Sequence, residues 1–169
     1  MLEGPDPEDH MHAILVAAVL ALAACAQWAS AANYYVRKTG NDANAGTSAG
    51  AAFKTVSRAI AAAQPGDVIY IGKGTYSESI TTARAGTSNA KIRLVGDKTG
   101  AYTGDKKGSI VISANSGTVV SILHDHVEIE QVIISGGATS LNINAANATG
   151  IAVRSSPREH SPPQTTSTG

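Results

Sequence analysis

The sequence predicts an all-β fold of many short strands, preceded by one short helix, and three observations carry that prediction. Strand-like pieces recur at Val68–Ile71, Ile92–Val95, Ile110–Ile112, Val119–Leu123, Val127–Ile129, Val132–Ile134, Leu141–Ile143 and Ile151–Val153. Each is short and rich in β-branched residues, which suit a pleated, half-buried surface. Turn residues separate them: Gly72, Gly74, Gly86, Gly96-Asp97, Gly104-Asp105, Asn115-Ser116-Gly117 and Gly136-Gly137. Aromatic residues make up 4% and charged residues 15% of the chain, with 17 glycines, a composition that suits a solenoid of short strands. Short strands with no helix between them are compatible with a sandwich as well.

The first elements follow in order. Tyr34, Tyr35 and Val36 form a β-like start that runs into a Gly/Asn/Asp loop. Phe53, Val56, Ile60 and Ala63 recur at +3, +4 and +3, the stripe of a short helix with one buried face. Thr55 is placed to cap it, since its hydroxyl can accept an amide of the first turn. Pro65 and Gly66 stop the helix. Val68 to Ile71 is too short for a helix and reads as a strand, and a Gly-Thr-Tyr turn follows at Gly74–Tyr76. A solenoid needs such a start, because its first coil otherwise exposes an apolar end and an open strand edge.

Four of these pieces carry a family resemblance: TGNDANAGT at Thr39–Thr47, FKTVSRAI at Phe53–Ile60, PGDVIYI at Pro65–Ile71 and GTYSE at Gly74–Glu78. Their order and spacing resemble the N-terminal cap and first coil of secreted right-handed parallel β-helix proteins, the pectate-lyase-like superfamily. HVEIEQVIISGG at His126–Gly137 resembles the coil repeat of that architecture. The resemblance implies an all-β, right-handed parallel β-helix with a short N-terminal capping helix. Repeats of ~20–25 residues put about three to four coils between Val68 and Val153. The coil pattern stops near Val153, so the chain reads as the N-terminal part of a truncated β-helix, with an unprotected last edge.

Three regions are expected: an N-terminal extension and signal peptide at 1–31, the β-helix part at 32–154, and a disordered tail at 155–169. Ala13 to Cys25 is an apolar run of signal-peptide length, shorter than a membrane span. Ala29-Ser30-Ala31 supplies the small-x-small pattern that signal peptidase reads, placing the cut after Ala31. The acidic MLEGPDPEDH is unsuited to a leader, which makes Met11 the better start, although His12 is then the only basic residue ahead of the apolar run. Leu22-Ala23-Ala24-Cys25 resembles a bacterial lipobox, so lipoprotein processing at Cys25 is the alternative. Both routes export the chain, as a secreted, periplasmic or cell-surface protein, with no membrane attachment unless Cys25 is lipidated. The ordinary route leaves no cysteine and so no disulfide. The tail SSPREHSPPQTTSTG has no apolar residue to pack. A formal net charge of zero and a pI near 7.0 give no electrostatic case for nucleic acid, whereas a local patch suffices for a glycan. A monomer is expected.

The resemblance implies chemistry on acidic polysaccharide by lyases and epimerases. Such reactions need a cation, often calcium, or a positive side chain to neutralise the uronate carboxylate, and a base for the C5 proton, typically Lys, Arg or a His/Tyr pair. This chain gives calcium no support of its own, and its cofactor is unknown. Lys91 and Arg93 are the substrate-binding candidates. They share the outward parity if Ile92 and Leu94 point inward, and they then present two cations; two solvated charges on a strand face is the bland alternative. His124-Asp125-His126 places two histidines on one face if it is a strand, a metal pair, or is a polar turn between strands. Asp42-Ala43-Asn44-Ala45-Gly46 has oxygens at alternate positions, as calcium loops do, without the bidentate Glu that should follow. Asn147-Ala148-Thr149 is a glycosylation sequon, expected to be silent behind a bacterial type of leader. Tyr70 and Tyr76 either stack on sugars or pack in the first turn. Two functions stand: a carbohydrate-active relative of polysaccharide lyases, with this chain as its inactive N-terminal part, and a noncatalytic β-helix surface or adhesion protein.

Overall fold

A computed structural model describes residues 31–143 and the backbone of 152–154. The expected leader, Cys25, Asn147 and the tail from Ser155 lie outside the described residues. The chain runs β1 (Asn33–Val36), a 3-10 turn (Ala49–Ala51), α1 (Val56–Ala62), β2 (Val68–Ile71), β3 (Gly74–Ser77), β4 (Ile80–Thr81), β5 (Ile92–Gly96), β6 (Ile110–Ala114), β7 (Thr118–Ile122), β8 (Val127–Glu130), β9 (Ile133–Gly136), β10 (Thr139–Ile143) and β11 (Ala152–Arg154).

These strands form three sheets, ordered β1-β2-β5-β8-β11, β3-β6-β9 and β4-β7-β10, in which every strand pair is parallel. Each coil visits the sheets in turn: β2-β3-β4, then β5-β6-β7, then β8-β9-β10. This is a right-handed parallel β-helix, the hand that parallel crossovers adopt. The register repeats residue types inward. Ile69 lies beside Leu94 and Leu94 beside Ile129, and all three are buried. Tyr76 lies beside Ile112, and Ile80 beside Val120, also buried. The second coil is the longest because the loop 97–109 stands out between β5 and β6.

The Gly-Thr-Tyr segment, expected as a turn, is strand β3, and the Ile80–Thr81 strand was not expected at all. Both present a single inward apolar residue, Tyr76 or Ile80, and one residue cannot display alternation. Gly74 opens β3 at a φ of 140°, and Tyr76 closes the turn by donating its hydroxyl to Gly72 O at 2.9 Å. Burial pushes the Tyr76 phenol well above its ordinary range.

The cap is built as the helical stripe requires. Phe53, Val56, Ala59, Ile60 and Ala63 are buried, and α1 packs on β1, β2 and β4. Thr55 Oγ1 accepts from Arg58 N, the expected cap. The other first-turn amides find a partner farther along: Glu78 accepts from Val56 N at 2.9 Å and from Ser57 N at 3.0 Å. A single glutamate therefore ties the start of α1 to the end of β3 and satisfies donors that a helix start leaves open.

Candidate functional site

The outward face of the first sheet carries the densest group of functional side chains. Its inward residues are Ile69, Ile71, Ile92, Leu94, Val127 and Ile129, so strand alternation turns Val68, Tyr70, Arg93, Val95, Glu128 and Glu130 outward. Two rows run across the coils. One pairs Tyr35 with Tyr70, Tyr70 with Val95 and Val95 with Glu130; the other pairs Val68 with Arg93 and Arg93 with Glu128.

Arg93 therefore projects outward, with its inward neighbours Ile92 and Leu94 buried, and Lys91 stands one residue before β5. Both are bound by carboxylates of the next coil. Lys91 Nζ lies 2.7 Å from Glu128 Oε1, Arg93 Nε lies 3.3 Å from Glu128 Oε2, and Arg93 Nη2 lies 3.0 Å from Glu130 Oε1. Hydrogen bonding to Glu130 raises the Arg93 guanidinium further above its already high value, against the opposing effect of burial. The side chains of Lys91 and Arg93 remain 36% and 42% exposed, so the network faces solvent while its two cations and two carboxylates balance. These cations are paired rather than independently solvated. Parity finds them in the sequence; their partners require the register of β5 against β8.

Beside the network stands an aromatic row. The Tyr35 and Tyr70 rings are 5.8 Å apart, and Tyr102 stacks on Tyr70 at 4.0 Å with an interplanar angle of 8°. Tyr102 is 54% exposed. Burial, helped by the adjacent Tyr102, raises the Tyr70 phenol. Of the two tyrosines singled out in the sequence, Tyr76 packs inside and Tyr70 faces outward. Tyr102 escapes sequence reading because nothing in GAYTGD announces where that loop folds back.

Asp97 folds it back. Its Oδ1 accepts from Thr99 Oγ1, Gly100 N and Ala101 N, and its Oδ2 accepts from Tyr102 N, Thr103 N and Thr103 Oγ1. Burial alone raises this carboxyl, but the hydrogen bonds outweigh it and hold Asp97 below the usual carboxylate range. Gly100 sits at a φ of 79°, and a Cβ there would collide with the Asp105 backbone, so the turn accepts no side chain at this point. Asp105 in turn accepts from Arg37 Nε at 3.0 Å and Nη2 at 2.7 Å, tying the loop to the cap.

Of the other sequence candidates, His124 and Asp42 have structural partners, whereas Asp125 Oδ1 and His126 Nδ1 are buried with none among the described residues. His124-Asp125-His126 is a bend between β7 and β8 rather than a strand, with His126 at a φ of 55°. His124 Nδ1 lies 2.9 Å from Thr82 Oγ1, which also accepts from Leu123 N. Asp42 accepts from Lys54 N, Thr55 N and Thr55 Oγ1, so its oxygens hold the entry to α1. Among the described residues, no group of three or more His, Cys, Asp or Glu is placed to hold a metal ion.

This coil geometry agrees with the comparison to known proteins. The family model for a protein of unknown function, DUF1565, matches residues 38–158. The chain belongs to the DUF1565 family. No curated protein matches the sequence. Among solved structures, this DUF1565 chain is similar to a native GH136 lacto-N-biosidase from Eubacterium ramulus, with a TM-score of 0.52 and 17% identity. The match covers 63% of this chain and 20% of that one. At that identity the likeness speaks for the fold, and the DUF1565 chain spans about a fifth of the enzyme's length.

Proposed function

We propose that this chain is an exported β-helix protein that binds polysaccharide along the outer face of its first sheet, with Tyr102 as the sugar platform. The observation that carries the reading is the exposed Tyr102 ring, backed by Tyr70 and set beside the Lys91–Glu128–Arg93–Glu130 network. A pyranose offers a face of C–H groups and a rim of hydroxyls. A rigid aromatic ring suits the first, and ordered charged donors and acceptors suit the second. The likeness to a carbohydrate-active β-helix supports the scaffold's use for sugars by analogy.

The charge balance of the face favours neutral sugars over uronates. In this reading Lys91 and Arg93 are hydroxyl-binding groups, not uronate-binding ones, because Glu128 and Glu130 already compensate them. The lyase chemistry expected from the resemblance needs a cation and a base not engaged in this way, so binding without β-elimination is the activity proposed for this chain. Export rests on the apolar run Ala13–Cys25 and on Ala29-Ser30-Ala31. The test is a titration of the folded chain and its Tyr102→Ala variant with neutral and uronate oligosaccharides.

A further inference from the structure

We infer that cleavage between Ala31 and Ala32 places the new Ala32 ammonium on the buried carboxylate of Asp67, which locks the start of β1 onto the first coil. Asp67 is 3% exposed. Its Oδ2 accepts from Gln64 N at 2.7 Å, and its Oδ1 accepts from Ala32 N at 2.7 Å. Among the described residues Asp67 has no salt bridge, although a buried carboxylate is costly without a positive partner.

The atom that reaches it is the one that cleavage would charge. Ala32 N follows directly after Ala29-Ser30-Ala31, the small-x-small pattern at the end of an apolar run. Hydrolysis by a signal peptidase breaks the Ala31–Ala32 C–N bond. Water's hydroxyl goes to the Ala31 carbonyl, which leaves as a carboxylate, and both protons end on the Ala32 amine, which becomes an ammonium. The amide-to-carboxylate bond becomes an ammonium–carboxylate pair on the same two atoms, now 2.7 Å apart, charged on both sides and so the stronger kind. Ala32 is held in place for it: its carbonyl accepts from Val68 N at 3.0 Å, and Asn33 pairs with Val68 at the start of the β1–β2 ladder. The Ala32–Asp67 pair rests on the export proposed above and is independent of glycan binding.

The test exports the full chain from a bacterium and reads the intact mass of the product. A chain beginning at Ala32 is expected; one beginning at Cys25 or retaining Met1 overturns the inference. The α-amine of the exported product is then acylated with an N-hydroxysuccinimide ester at neutral pH and followed by peptide mass. It should react at least about tenfold more slowly than the α-amine of a protein carrying one extra glycine before Ala32, as a paired, half-buried ammonium is shielded. That extended protein should also melt several degrees lower. Asp67→Asn should restore fast acylation; if it does not fold, the glycine extension alone decides. Equal acylation rates and equal melting temperatures in the two folded proteins overturn the inference.

Discussion

Tyr102 lies flat on Tyr70, with ring centroids 4.0 Å apart, although Tyr70 belongs to the first coil and Tyr102 to the loop that leaves the second. The contact joins two coils outside the sheet, and the Asp97 carboxylate shapes the turn that carries Tyr102. Both oxygens of Asp97 are spent on the loop amides and hydroxyls from Thr99 to Thr103.

Replacing that carboxylate should therefore release the ring. Asp97→Ala leaves the Thr103 amide and hydroxyl buried without an acceptor, and is expected to cost roughly 2–4 kcal/mol in a urea melt. The pH dependence has a definite sign. The folded carboxyl titrates below its unfolded value of about 3.9. Its contribution is thus present above about pH 4 and is lost as the pH falls through the folded value. Asp97→Asn should lose less stability than the wild type between pH 5 and pH 2; parallel curves would deny Asp97 this role.

The cap helix offers a second comparison. Ile60 is 7% exposed and Lys54 is exposed at the entry to α1. Ile60→Asp sets an unpaired charge against the first coil and should cost several kcal/mol, whereas Lys54→Asp should cost under about 1 kcal/mol. Equal melting of the two variants would show that α1 does not cover the coil.

Charge balance on the outer face predicts a change of specificity. The network is partly exposed, so its ion pairs contribute only about 0–1 kcal/mol each to stability. Glu128→Gln with Glu130→Gln should leave the fold intact while unmasking Lys91 and Arg93. Polygalacturonate binding should then rise about tenfold or more and weaken with added salt. A double variant that gains no affinity for polyuronate would mean that the glutamates do not set the charge of this face.

Much of this architecture was legible in the chain. The Phe53–Val56–Ile60–Ala63 stripe, the Thr55 cap and the order of the apolar pieces depend on local periodicity and capping chemistry. Strands β3 and β4 were not legible, because Tyr76 and Ile80 each stand alone as inward residues. The candidate face was half legible. Alternation about Ile92 and Leu94 turns Arg93 outward, but its pairing with Glu128 and Glu130 depends on the register of coils separated by the long 97–109 loop. Tyr102 became a candidate only through the fold of that loop around Asp97, which no short-range pattern encodes.

Lys91 and Arg93 are both engaged by carboxylates, which predicts an absence of elimination chemistry. The 169-residue chain, shown to be folded by a β-type circular dichroism spectrum, should produce no unsaturated uronate absorbance from pectate, alginate or chondroitin, with or without calcium. Turnover abolished by Arg93→Ala would make Arg93 a catalytic residue and reverse this reading.

Calorimetric titration with neutral oligosaccharides and matched uronate oligosaccharides, on wild type and Tyr102→Ala, tests the central claim most directly. The wild type should bind a neutral glycan more tightly than its uronate counterpart. Loss of the ring should weaken that binding about tenfold, the equivalent of roughly 1–2 kcal/mol of aromatic contact, without lowering the melting temperature by more than a few degrees. A folded wild type that binds none of these glycans, or binds them equally well without the Tyr102 ring, would contradict the assignment of this face.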